Sequence, residues 1–545
     1  MRRAVRVCVG VSDTIPLMSV VATLTSLAFA AYPPTADGTF KVAVDHFSYA
    51  TPAARFHLRY LAYSGFASPT DAPVLLYAGN EGAIEVFYNA TGAIFDHARA
   101  LGAHVLFIEH RYYGSSLPFG PNASFSPEGL RFLTIEQALA DYAEVIVALP
   151  RLLGCQGSGA RRLLDRCDVI LIGGSYGGML AAWHRLKYPW LSVGAIASGA
   201  PIDFYPGMHV QETFLEAVID TFDRYGGHRT CAGALKLALA AADSATIADL
   251  AAAGVHPCQP FGPESVERYA FYAKGALASL AMVDYPYPAD FIAPLPANPV
   301  QKACAALVRT NSTGATVPRP RSLLQRLHAA VLGLVNASKD LRCVGLEAEL
   351  VGGDTARAAT GHLGAVLRGT DLGVTAWNYQ ACTELILEPM TSDGYGFYPE
   401  AEDQIRATRS LCASRYSVEP RPAWMPTAFG RGADFAAASN IIFMENEKDP
   451  WHVGTASVAR SGGANGTVVR VLARGGAHHQ DLRAESPFDS PDVKAARAYE
   501  RMAMRAWLGL GGESEWHHHG ITDSPRSGRP STAVPAVAGS ASAAA

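Results

Sequence analysis

The sequence predicts an α/β protein: a parallel sheet covered on both faces by helices, with a mostly helical insertion before its last strands. Three observations carry this reading. From Tyr32 to Ser198, runs that read as buried strands alternate with runs that read as helices. The strand runs are nearly continuous in apolar residues rather than apolar at alternate positions, as in strands buried on both faces. One of them ends in "GGSYGG" (173–178), where four glycines crowd a single hydroxyl at a strand-to-helix turn.

Taken in order, the chain opens with Arg2, Arg3 and Arg6, then an apolar run from Ile15 to Ala30 closing on Ala28-Phe29-Ala30. A basic start, an apolar stretch and a small-x-small site describe a secretory signal peptide, residues 1–30. An uncleaved anchor is the alternative, but the run is short for a span and lacks a stop-transfer flank, so no stable membrane insertion is expected after cleavage. Residues 31–202 form the first part of the α/β domain, with strands at 72–79, 104–110 and 168–174 and helices at 134–149 and 178–189. Residues 203–415 hold long helical patterns, most of the cysteines and the proline-rich "YPYPADFIAPLPANP"; they read as a helical insertion or lid. Residues 416–510 return to strands at 440–446 and 467–473 and close with a helix at 492–508. The tail, 511–545, is rich in Gly, Ser, Pro and Ala and is expected to be disordered. Its three consecutive histidines, His517 to His519, have no partner ligands in register, and no metal or other cofactor is expected.

The 545 residues are 49% hydrophobic and 17% charged, which suits a large globular core and not a disordered chain. The formal net charge is −4 with no basic stripe, so nucleic acid is excluded as a partner. Of nine cysteines, Cys8 leaves with the signal, and an even set of eight remains for an oxidising compartment. Sequons at Asn89, Asn122, Asn311, Asn336 and Asn465 are candidate glycosylation sites and agree with secretory-pathway entry.

The glycine-crowded turn has a chemical reading. Gly173, Ser175 and Gly177 satisfy G-x-S-x-G, the nucleophile elbow, in which small neighbours allow the strained turn that lifts the serine above the sheet. The next backbone N–H, of Tyr176, then points where an oxyanion would form. A glycine-rich turn without chemistry is the alternative. Two further groups argue against it: Asp449 lies in the loop after strand 440–446, and His478 and His479 lie in the loop after 467–473. Active sites of open α/β sheets sit at those strand ends. The order serine, acid, histidine is that of the α/β-hydrolase fold. The acid would hold the imidazole in its useful tautomer, and the imidazole would take the serine proton and return it to the leaving amine. The residues alone do not choose between His478 and His479.

"YAGNEGAIEVFYNATG", "VLFIEHRYYGSSLPFG", "GGSYGGMLAAW", "AMVDYPYP", "PLPANP", "WNYQACTE", "EKDPW" and "GAHHQDLR" together resemble the proline-specific serine exopeptidases, the family of lysosomal Pro-X carboxypeptidase and dipeptidyl peptidase II. The resemblance runs from about residue 40 to 508. It implies an α/β-hydrolase fold with a helical insertion over the site, and cleavage after proline next to a chain end. It implies Ser175 as nucleophile, Asp449 as acid and His478 as the histidine. His479, Asp481 and Arg483 match the same motif as a supporting charged network. Met179 and Trp451 match residues lining the proline pocket. Asn80, Glu81 and Gly82 follow the third-strand candidate, with Glu81 and Gly82 taken to the oxyanion hole beside Tyr176 and Asn80 to the substrate. The family's cysteine placement implies the pairs Cys382–Cys412, Cys231–Cys304 and Cys258–Cys343, with Cys155–Cys167 as an extra local one. "EHRYYG" (109–114) reads as a structural brace. Peptides with proline beside the scissile bond are the implied partners, a homodimer is an assembly compatible with the resemblance, and the location is lysosome-like or extracellular. The family's acidic residue after "GNEG" is Ala83 here, and its glycine ahead of the Glu-x-Asp is Asn446. With that acid absent and His479 and Arg483 beside the histidine, the reading favours carboxypeptidase over dipeptidyl-peptidase action. An esterase or lipase on the same fold lacks the expected HGGG motif, and an inactive binding protein would have lost triad members.

Overall fold

The computed structural model describes residues 31–49, 53–157, 166–205, 211–308, 322–337, 339, 341–346, 374–386, 409–410, 412–456 and 468–511. The signal segment, Asn311, Asn465 and the tail beyond Gly511 lie outside them. Among the described sequons, Asn122 is exposed and Asn89 and Asn336 are half-buried.

Eight strands form one sheet: β1 (Ala36–Ala43), β2 (Arg55–Tyr63), β3 (Val74–Tyr77), β4 (His104–Ile108), β5 (Val169–Gly174), β6 (Gly194–Ser198), β7 (Ile441–Asn446) and β8 (Val468–Ala473). Their order across the sheet is β1-β2-β4-β3-β5-β6-β7-β8. β2 pairs antiparallel with both β1 and β4, and all other neighbours are parallel. This is the α/β-hydrolase arrangement, with the expected apolar strands at its centre. The antiparallel β1 and β2, and the small-residue strand β6 ("GAIAS"), are additions that the apolar-run criterion does not detect.

The continuous apolar runs have their predicted consequence. In β5, Val169 and Leu171 pack on one face against helices α3 (Ile135–Leu153) and α4 (Tyr176–Lys187). Ile170 and Ile172 pack on the other face against α1 (Ile84–Ala90), α2 (Ala93–Leu101) and the C-terminal α12 (Pro491–Trp507). Each fully buried Val, Ile or Leu contributes roughly 1.5–3 kcal/mol, so a strand used on both faces anchors two layers at once.

Between β6 and β7 the chain builds the insertion: α5 (Gln211–Tyr225), α6 (Cys231–Asp243), α7 (Ile247–Ala252), α8 (Ser265–Met282), α9 (Pro299–Leu307), α10 (Leu323–Val335) and α11 (Val374–Thr383). The helical pattern at 230–254 is split in two. Thr246 starts α7 with a capping box, its hydroxyl accepting from Asp249 N while the Asp249 carboxylate accepts from Thr246 N. Helices α5 to α10 share a core that also takes in Trp451 and Ala477 from the loops after β7 and β8. Disulfides join Cys231 to Cys304, Cys258 to Cys343, Cys382 to Cys412 and Cys155 to Cys167. No helix among the described residues is long and apolar enough to cross a membrane.

Candidate active site

At the end of β5 the backbone of Ser175 takes φ 55° and ψ −126°, and α4 starts at the next residue. A non-glycine residue held there stores on the order of 1–3 kcal/mol of strain. The close packing explains the flanking glycines. A methyl group at Gly173 would collide with Gly177 O, and one at Gly177 with Asn80 Oδ1 and Ala78 O. Ser175 N donates to Ser198 O at 2.8 Å, fixing the elbow to β6. The Ser175 hydroxyl makes no cap bond to the helix it precedes. The first N–H groups of α4, that of Tyr176 among them, have no intrahelical acceptor.

Asp449 follows β7 in a tight turn, its N–H donating to Asn446 O at 3.0 Å. Its carboxylate is wholly buried; Oδ1 accepts from Trp451 N at 3.1 Å and Oδ2 from His478 Nδ1 at 2.6 Å. A carboxylate partner fixes the proton on Nδ1 and leaves Nε2 of His478 as the basic nitrogen. Gly199 lies directly against this pair: a Cβ there would sit 3.1 Å from His478 Nδ1 and 3.2 Å from Asp449 Oδ2, and its φ of 54° independently favours glycine.

The insertion grips the histidine from both sides of its backbone. His478 N donates to Met282 O at 2.8 Å, at the end of α8, and Tyr285 Oη donates to His478 O at 2.9 Å. Between them, Asp284 receives Lys448 Nζ on its carbonyl and on Oδ2, each at 2.9 Å, so the residue before Asp449 is tied to the same segment. Sequence reasoning gave these residues no role. "AMVDYPYP" marked the segment, but Lys448 stands among Glu447 and Asp449 and carries no signal of burial in the sequence.

His479 stacks beside His478 (ring centroids 4.2 Å) and edge-on to Phe291. Burial, reinforced by His478 and Arg483, pushes its pKa well down, so it is neutral and does not supply the positive charge expected from the sequence. Arg483 is buried, its guanidinium 4.4 Å from the Tyr285 ring centroid. Asn80 uses its side chain within the elbow, donating to Gly174 O and accepting from Tyr77 Oη. Glu81 is half-buried with an unpartnered, inaccessible Oε2; burial raises its pKa and nearby His478 opposes the rise. Gly82 is buried beside it. Met179 is buried in the first turn of α4, and Trp451 meets Phe204 and Phe214 edge-on. Tyr176 Oη is held by His110 Nε2 and Gln380 Nε2, which brings α11 over the elbow. Glu109 and Arg111 brace loops: Glu109 accepts from Ile84 N and Ser115 N, and Arg111 forms a two-pronged pair with Asp141.

Among the described residues no cluster of His, Cys, Asp and Glu has the makings of a metal site. Residues 42–500 match the family described as serine carboxypeptidase S28. The chain is similar to lysosomal Pro-X carboxypeptidase of Pongo abelii and of Homo sapiens, 34% identical to each over 473 residues, covering 86% of this chain and 87% of theirs. It is also similar to thymus-specific serine protease of Homo sapiens, 30% identical over 481 residues, 82% of this chain and 81% of that one.

Proposed function

This chain belongs to the serine carboxypeptidase S28 family, and from that premise we propose that it hydrolyses the peptide bond after proline at a free carboxyl end, with Ser175, Asp449 and His478 as its triad. The observation that carries this reading is the buried Asp449–His478 pair, bonded at 2.6 Å, beside the strained Ser175 elbow. Ser175 Oγ attacks the carbonyl carbon while His478 Nε2 takes its proton; the imidazolium, stabilised by Asp449, then protonates the departing amine. Water repeats the sequence on the acyl-enzyme and returns Ser175. The Tyr176 N–H, with backbone N–H groups at Glu81 and Gly82, stabilises the oxyanion. Met179 and Trp451 offer apolar surface to the proline ring, with Arg483 as the remaining cation for the terminal carboxylate. The four disulfides support a secretory-pathway, lysosomal or extracellular location.

Matched peptides test the reading. The purified protein is expected to release the last residue from a Pro-X carboxyl end and to lose this activity when that end is amidated. Faster release of an amino-terminal X-Pro dipeptide, abolished by acetylation, overturns the choice of terminus. Absence of cleavage after proline overturns the specificity, and faster hydrolysis of acyl esters overturns the peptidase assignment.

Tyr285 gives a second expected result. Tyr285→Phe keeps the ring and deletes the hydrogen bond to His478 O together with the hydroxyl's side-chain bond to Arg483. A net bond of roughly 0.5–1.5 kcal/mol corresponds to about a 2–12-fold loss. That loss is expected in kcat through the histidine, while a rise in KM would report the lost bond to Arg483; steady-state kinetics separates the two.

A further inference from the structure

Behind the histidine loop lies a buried cluster for which the proposed triad chemistry has no use. Asp481 Oδ1 accepts from Ser198 Oγ and from Asn446 Nδ2, both at 2.7 Å. These two partners are also the residues whose carbonyls receive Ser175 N and Asp449 N. One carboxyl, three residues after His478, is thus bonded to the anchors of the other two proposed triad members. Another wholly buried acid, Glu500 on α12, lies within side-chain hydrogen-bonding reach of Asp481. Glu500 Oε2 is bonded to His97 Nε2 of α2 at 3.1 Å. Asp481 Oδ2 and Glu500 Oε1 have no donor.

The neighbouring cations do not supply one. Arg497 directs Nε to Asp481 O, Nη2 to Gln480 O and Nη1 to the Asp489 carboxylate. His97 is held down to about 3 by burial and is neutral, so it gives Glu500 a single N–H. Arg501 acts on Glu500 only at a distance, and Asp96 beside His97 adds negative charge. Two ionised carboxylates in contact in a buried site repel, whereas one proton between them satisfies both orphaned oxygens.

We propose that Asp481 and Glu500 share one proton, and that in this state Asp481 is a positioning residue joining the histidine loop to the anchors of Ser175 and Asp449. Burial pushes both carboxyls up to about 7, with Glu500 adding to the rise at Asp481. Since the folded value lies above the unfolded one of about 4, the folded state binds the extra proton. The stabilisation is complete below about pH 4 and is lost as the pH rises to about 7, where the proton leaves for solvent and the contact becomes repulsive. Asn446 makes this coupling a property of this chain, because a glycine there would offer Asp481 no side-chain donor.

Glu500→Gln tests it, since the amide supplies the hydrogen permanently and keeps an oxygen for His97. The wild-type unfolding midpoint is expected to fall between about pH 4 and 7 with loss of about one proton, and that of Glu500→Gln to stay level across the same window. The alkaline limb of activity should move up by about one pH unit in the variant. Equal pH dependence of unfolding in the two proteins overturns the proposal, whatever the substrate proves to be. Asp481→Asn supplies the hydrogen from the other side should Glu500→Gln fail to fold. On the wild type itself, infrared spectroscopy should detect a protonated carboxyl in the acid range that ionises near neutrality; its absence at about pH 5 also overturns the proposal.

Discussion

Replacing Ser175 with alanine is expected to lower kcat by about 10⁵-fold or more while leaving the protein folded. The hydroxyl is the atom that would bond covalently to the substrate, so the lost term is the reaction path itself, not one contribution to it. Folding should survive for a reason visible at the elbow. The Ser175 side chain makes no cap bond, and the bonds that fix the turn run through its backbone N–H and carbonyl. Alanine at φ 55° carries the same backbone strain as serine. Circular dichroism and unfolding midpoint should therefore match the wild type, and labelling by a fluorophosphonate probe should disappear. Retained turnover, or retained labelling, removes Ser175 from the role of nucleophile.

Lys448→Met is expected to cost about 3–5 kcal/mol of stability, the usual penalty for stranding one member of a buried ion pair. Lys448 and Asp284 are both buried, and the Asp284 carboxyl, pushed up by burial against the opposing pull of Lys448, already pays a desolvation cost with its partner present. Denaturant unfolding checks the loss. Adding Asp284→Asn should recover most of it, because the side-chain oxygen can still accept from Val300 N while the uncompensated charge is gone. A single variant as stable as the wild type, or a double variant no better than the single, contradicts a buried pair at this position. The same segment carries Met282 and Tyr285, so partial loss of activity in Lys448→Met should accompany the loss of stability.

The sheet's centre was legible because its information is local. β3, β4 and β5 are buried on both faces, and a strand in that position is apolar at nearly every residue, which the sequence displays directly. The elbow was legible for the same reason: Gly173 and Gly177 sit two residues either side of Ser175, and the conflict of a Cβ at Gly173 with Gly177 O lies within that short span. The half-exposed β1 and β2 carry polar residues on one side and cover the sheet's edge, so their runs lack the continuous apolar signal.

What belongs to the sequence by itself is therefore the fold class, the turn at Ser175 and the arrival of Asp449 and His478 in successive strand-end loops. Tertiary structure alone decided which groups meet. The bond from Asp449 to Nδ1 of His478, the hold of Tyr285 on the His478 backbone and the contact between Asp481 and Glu500 all join residues distant in the chain. No periodicity records such pairs, because their strength comes from burial. A hydrogen bond or a shared proton gains its energy where water is excluded, and only the packed chain determines where that is.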